Sequence, residues 1–275
     1  MRWQLPKALT AGDEVAVVLP SSAIRDGDAF ARGLDRLRSW GLRPSVMATG
    51  SVETGTDWPE GCAVAASDGE RLAGLQRALA EPRFRAVFCG RGGYGAGRLL
   101  TEIDWSVLAA DPKPLVGYSD ITALLCAAAA ATGTVSFHGP MVATAAAMDP
   151  EDDGWRLQRE LLFVTDRAPQ LPATDEPRTL RTGAAEGYLV GGNLAVLQAT
   201  IGTPWQPETD GALLFLEDIG EAPYRVDRML TQLLQTGMLR RCAGVLLGDF
   251  HVAGTALASV HPPMQRVLEE RLAGL

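Results

Sequence analysis

The 275 residues carry 33 acids against 25 lysines and arginines, and the formal net charge of −8 excludes the basic surface that nucleic-acid binding needs. With 47% hydrophobic and 21% charged residues, the composition is that of a globular protein with one large domain or two ordinary ones. No apolar run approaches the ~18 residues of a membrane helix, and MRWQLPKALTAGDEVAVVLP lacks the order of a secretory signal, so a cytoplasmic protein with no membrane contact is expected.

DEVAVVLPSS is a β-branched run that stops at Pro20 and two serines. Across 27–40, Phe30, Leu34, Leu37 and Trp40 keep helical spacing, and Gly41 ends it. LRPSVMATG predicts a second strand. SDGERLAGLQRALAEP predicts a helix opened by a capping box, Ser67 with Glu70, and closed before Pro82. RAVFCG is a strand, and RGGYGAGR a glycine-rich loop leading into a helix that continues through LLTEIDWSVLAADP. PLVG is a short strand; Gly117, Tyr118, Ser119 and Asp120 make a tight turn into the helix ITALLCAAAAATG, and TVSFHGP closes the series.

Such alternation implies a mostly parallel sheet with helices on both faces. Ligands of such sheets bind beyond the carboxyl ends of the strands, where both the 90–98 loop and the 117–120 turn fall. Between about 149 and 186, DPEDDGW and APQLPATDEPRTLRTG are rich in proline and acid, with one helix, WRLQRELLF, between them. This reads as a connection to a second domain. There GYLVGGNLAVLQATIGTPW, ALLFLEDI, VDRMLTQLLQTGML and AGVLLGDF again alternate strand with helix.

Ser119 has two readings: a nucleophile held outward on a strand-to-helix turn, or a helix N-cap. The G-x-S-x-G pattern is half met, since Ile121 replaces the second glycine, and spacing alone favours the cap. The five glycines between Gly90 and Gly97 can turn N–H groups towards an anion. Without a Walker lysine they suit an oxyanion or carboxylate site beside Ser119 better than a phosphate site. Glu217, Asp218 and Glu221 follow a strand, where a carboxylate that orients a histidine would complete a Ser-His-acid triad. No histidine or second acid cluster stands at metal-ligand spacing. His138, His251 and His261 each lack a local signature of a catalytic base. Cys62, Cys89, Cys126 and Cys242 lie far apart and read as plain thiols.

Taken in order, PKALTAGDEVAVVLPSS, CGRGGYGAGRLL, VGYSDITAL, FHGPM, LVGGNLAVL, GTPW, FLEDIGEAPYRVDRMLTQL and GVLLGDF resemble the L,D-carboxypeptidase family of serine peptidases. That family includes the murein tetrapeptide carboxypeptidases and the microcin C self-immunity proteins. The resemblance implies an α/β fold: a parallel α/β nucleophile domain over 1–165, a linker over 166–185 and a smaller mixed α/β domain over 186–275, with the active site in the groove between them. It implies Ser119 as nucleophile, the N–H groups of Gly93 and Asp120 as oxyanion hole, and Glu217 as triad acid. The implied reaction removes the terminal D-alanine of a murein tetrapeptide, or cleaves an aminoacyl-adenylate analogue, in a homodimer without metal or organic cofactor. Arg91 and Arg225 are candidate partners for a substrate carboxylate. The family's histidine lies in a G-[FLI]-P-x-G-H-like segment, one strand beyond a helix like PMQRVLEERLAGL, so the general base is expected past Leu275. Substitution by His251 and a non-catalytic relative are the alternatives.

Overall fold

The computed structural model describes residues 3–47, 64–144, 149, 151–163, 178–252 and 263–275. The chain divides into two units, Met1–Pro172 and Ala173–Leu275.

In the first unit, β1 (Glu14–Val18), β2 (Arg43–Val46), β3 (Phe84–Cys89), β4 (Leu115–Gly117) and β5 (Phe137–His138) form a parallel sheet in the order β2-β1-β3-β4-β5. A parallel strand covered on both faces needs apolar side chains on both. Accordingly, Val15, Ala16, Val17 and Val18 are at most 1% exposed. The helices α1 (Gly27–Ser39), α2 (Asp68–Ala80), α3 (Ser106–Ala110), α4 (Thr122–Thr132) and α5 (Asp153–Phe163) supply the cover. Val15, Val17, Phe88 and Val116 pack with Leu37, Trp40 and Trp155 in one core cluster, and the two indoles meet edge to face at 5.4 Å. Strand order reverses between β1 and β3. Crevices at the carboxyl ends of strands beside such a reversal are where open parallel sheets bind ligands.

The predicted capping box is present on α2: Ser67 Oγ accepts from Glu70 N at 3.3 Å, and Glu70 Oε2 accepts from Ser67 N at 3.1 Å. At the other end, buried Lys113 donates to the carbonyls of Leu79 (2.8 Å) and Glu81 (2.7 Å). One expectation fails. The helix predicted to continue from the glycine loop breaks into a 3-10 turn at Ala96–Arg98 and the separate α3. Asp104 accepts from Ser106 N at 3.0 Å and starts α3 afresh, which the helical periodicity did not reveal.

In the second unit, β6 (Leu189–Asn193), β7 (Leu213–Ile219) and β8 (Gly244–His251) form a parallel sheet in that order. Along β7 the alternation is strict. Leu214, Leu216 and Asp218 are buried on one face, and Leu213, Phe215 and Glu217 are half-buried on the other. The helices are α6 (Leu194–Gln198), α7 (Pro223–Gln235), α8 (Met238–Arg241) and α9 (Met264–Leu272). α7 buries Val226, Met229, Leu230 and Leu233 at helical spacing, and Arg271 of α9 donates to Asp227 of α7. Gly191 of β6 has φ +139°, and a Cβ there would collide with the Phe215 carbonyl of β7. Among the described residues no helix is long and apolar enough to cross a membrane.

Candidate active site

β4 ends at Gly117, Tyr118 is extended (φ −144°, ψ −173°), and a 3-10 turn over Ser119–Ile121 leads into α4. At the bend, Ser119 has φ +60°, and no other non-glycine among the described residues has a positive φ. An L-residue in this region costs roughly 1–2 kcal/mol, so the surrounding packing must impose it. Ile121 packs at the start of this bend. Its Cγ2 sits where a Cβ on Gly117 would approach to 2.8 Å. The isoleucine that breaks the G-x-S-x-G pattern therefore packs over the glycine that keeps it.

The N-cap reading of Ser119 does not hold. Neither the 3-10 turn nor α4 has a side-chain cap. The Ser119 hydroxyl makes no hydrogen bond among the described residues. It is half-buried and free to meet a ligand.

The glycine loop lies against this serine. A Cβ on Gly92 would stand 3.1 Å from Ser119 Cβ and 3.3 Å from its Oγ, so a side chain there would press on the serine. Gly93 follows at φ +107°, its Cα facing Ser22, whose Cβ a substituent would meet at 2.8 Å. Ser22 N donates to Gly92 O at 3.2 Å, and Ser22 Oγ accepts from Tyr94 N at 3.2 Å. The Gly93 N–H between them has no acceptor among the described residues. The Asp120 N–H precedes the first one in its turn that finds an acceptor, Ile121 N to Tyr118 O at 3.2 Å. The Gly93 and Asp120 N–H groups are thus both left without an acceptor among the described residues.

The Asp120 side chain is buried, at 7% exposure. Its Oδ2 accepts from Ser21 Oγ at 2.6 Å and from Ala96 N at 2.8 Å. One carboxylate therefore ties together the loops after β1, β3 and β4. Sequence reasoning assigned only its N–H. Ser21 and Ser22 were read as the end of a strand; two serines at the carboxyl end of a parallel strand were the available signal.

Arg91 is half-buried, and its Nη1 donates to Ala23 O at 2.6 Å. It makes no ion pair among the described residues. Burial and the neighbouring Arg25 both push its pKa down, the mark of a cation without a counter-charge. His138, at the end of β5, meets the Tyr118 ring edge to face at 6.1 Å. The residue is exposed to solvent, and the atoms packed around it push its pKa down. Cys89 and Cys126 are buried and their thiols are pushed up by that burial, while Cys242 is half-buried; Cys62 lies outside the described residues.

Glu217 and Arg225 belong to the second unit. Glu217 pairs in register with Asn193 of β6, and β8 slips register beside it, with Gly248 placed where a Cβ would stand 3.1 Å from Glu217 Cβ. Its Oε1 is buried with no hydrogen-bond partner among the described residues. Burial, then the charge of Asp218, raises the Glu217 pKa to about 7, against a smaller opposing effect of a hydrogen bond from Asn193. Asp218 itself faces the core, accepts from Ala195 N at 2.9 Å and is likewise raised by burial. Arg225 is exposed and already engaged, with Tyr224 OH at 3.3 Å and Glu221 Oε2 at 3.4 Å. His251 ends β8, exposed, 3.9 Å from Asp249; His261 lies outside the described residues.

Two family models match the chain. Residues 15–139 match the LD-carboxypeptidase N-terminal domain and 186–275 the LD-carboxypeptidase C-terminal domain. A probable murein peptide carboxypeptidase of Bacillus subtilis is 38% identical over 96% of this chain and 81% of its own. The muramoyltetrapeptide carboxypeptidase of Oxalobacter formigenes superposes with a TM-score of 0.77 at 29% identity, over 95% of this chain and 85% of that one. A structure of MccF in complex with glutamyl sulfamoyl guanosine gives 0.81 at 24% identity, over 98% and 87%, a likeness of fold. The chain belongs to the LD-carboxypeptidase family of peptidases.

Proposed function

We propose that the protein is a serine L,D-carboxypeptidase that hydrolyses the amide to the terminal D-amino acid of a murein tetrapeptide. The observation that carries this reading is Ser119 at φ +60°, with its hydroxyl free and Gly92 against it. The 38% identity to a murein peptide carboxypeptidase, against 24% to MccF, favours a murein peptide over a peptidyl-nucleotide substrate.

In this reading Ser119 Oγ attacks the carbonyl of the L-residue while a histidine takes its proton. The N–H groups of Gly93 and Asp120 receive the developing oxyanion. Collapse expels the D-amino acid, its amine protonated by the imidazolium, and water then hydrolyses the acyl-serine. Glu217 suits the triad acid: its Oε1 lacks a donor, and its raised pKa reflects a carboxylate that an imidazole N–H would stabilise. The family resemblance pairs such an acid with a histidine as general base. Arg91, rather than the engaged Arg225, is the partner for the substrate's free carboxylate. Peptidoglycan recycling in the cytoplasm by a homodimer, without metal or organic cofactor, completes the proposal.

The test is release of D-alanine from murein tetrapeptide, run beside hydrolysis of an aminoacyl sulfamoyl adenylate, with Ser119→Ala as control. D-Alanine release that Ser119→Ala abolishes is expected. Turnover of the adenylate alone, or release unaffected by Ser119→Ala, would overturn the reading.

A further inference from the structure

Arg71 lies in the first turns of α2, at 4% exposure. Four of its five N–H groups are engaged. Nε donates to Ala66 O at 3.2 Å, Nη1 to Gly95 O at 3.0 Å and to Pro20 O, and Nη2 to Asp68. The carbonyls of Pro20 and Gly95 belong to different loops. Pro20 precedes Ser21 and Ser22, which hold Asp120 and Tyr94 respectively. Gly95 ends the stretch that begins at Gly92 against Ser119. It has φ +119°, and a Cβ there would stand 3.0 Å from Arg71 Nη1. The guanidinium is therefore seated on bare backbone.

The counter-charge binds the same loop. Asp68 also pairs with Arg98, 2.7 Å away in the 3-10 turn that follows the glycine loop. Arg98 and Arg71 together hold the Asp68 carboxyl below its usual range. A lysine would bring one point charge; a planar fork reaches three carbonyls and a carboxylate at once.

We infer that Arg71 is a positioning residue: by gripping the carbonyls of Pro20 and Gly95 it fixes the glycine loop and thereby aims the Gly93 N–H at the Ser119 turn. Its consequence for catalysis rests on the proposed function; the positioning itself does not. The amides of Tyr94 and Ala96, bonded to Ser22 Oγ and Asp120 Oδ2, report loop order, and the Val87 amide of β3 reports the core.

In Arg71→Lys, hydrogen exchange measured by NMR should accelerate at least 10-fold at Tyr94 and Ala96 and stay within twofold at Val87. A merely structural arginine would move all three together, and that result, or no change at Tyr94 and Ala96, overturns the inference. If Arg71→Lys does not fold, Asp68→Asn, at a side chain 42% exposed, should give the same pattern more weakly, and its absence there is equally decisive. In parallel, a boronic-acid analogue of the tetrapeptide, which adds to a serine hydroxyl, is titrated against the wild type and Ser119→Ala. Loss of loop order in Arg71→Lys, with no Ser119-dependent boronate adduct on the wild type, would count against the proposed function and leave the positioning standing.

Discussion

Ser21 Oγ donates to Asp120 Oδ2 at 2.6 Å across 99 residues of sequence, and this buried bond joins the loop after β1 to the turn that carries Ser119. The same oxygen takes the Ala96 N–H at 2.8 Å, so removing the carboxylate leaves two buried donors unpaired. Hydrogen bonds to charged groups contribute about 1.5–3 kcal/mol each. Asp120→Ala should lower the first unit's stability by about that much and cut kcat on the murein peptide by about 100-fold. Ser21→Ala should show a smaller loss in the same direction. Chemical denaturation and steady-state kinetics read both; a full-rate Asp120→Ala enzyme would refute the link.

The backbone at Ser119 predicts a conflict between stability and activity. Glycine adopts φ +60° without penalty, so Ser119→Gly should stabilise the first unit by about 1 kcal/mol while abolishing turnover. Ser119→Ala should abolish turnover without that gain. Comparing the two by thermal melting isolates the strain.

Gly93 tests the oxyanion loop directly. Alanine at φ +107° is strained and meets Ser22 Cβ at 2.8 Å. Gly93→Ala should lower kcat by about 100- to 1000-fold, the usual cost of losing one oxyanion donor. Ser22→Gly in the same chain should recover part of it by opening space. Kinetics of the two single variants and the double variant measure that coupling.

Arg91 predicts substrate selectivity. Arg91→Met should reduce kcat/KM for a peptide with a free carboxyl terminus by about 10- to 100-fold, in line with a charged hydrogen bond. It should leave the C-terminal amide of the same peptide nearly unaffected. Equal losses on both peptides would remove Arg91 from the carboxylate site.

Glu217 predicts a pH dependence of stability. Its folded-state pKa, raised to about 7, lies above the ordinary carboxyl value of 4.5. The folded form then binds its proton more tightly, so stability rises as pH falls from about 7 towards 4.5 and is lost as pH climbs back. The upper bound is about 3 kcal/mol, reduced by the solvent that reaches this half-buried group. Glu217→Gln should flatten that slope in denaturation curves taken between pH 5 and 8. An unchanged slope would mean that Glu217 titrates normally.

Much of this was legible from the residues. β-branched runs and helical spacing predicted the strands and helices around Ser119, and the Ser67 and Glu70 capping box stands as read, because each depends on neighbours a few residues apart. The single helix expected through LLTEIDWSVLAADP failed for an equally local reason, the turn in which Asp104 accepts from Ser106 N. Whether Ser119 caps a helix or presents its hydroxyl was beyond local pattern. Both use a serine at a strand-to-helix turn, and the choice rests on the backbone Ser119 adopts in the fold, with Gly92 close against it.

By itself the sequence determined the α/β alternation, the glycine-rich loop and the ordered motifs of the family, since periodicity and glycine content act locally. Tertiary structure alone decided that Ser119 sits at φ +60°, that the Asp120 carboxylate joins three loops, and that Arg71 grips two of them. It also left Glu217 Oε1 buried without a donor. Those features are pairings between loops tens of residues apart, and only the folded sheet, which gathers the carboxyl ends of its strands along one edge, brings such partners within hydrogen-bond reach.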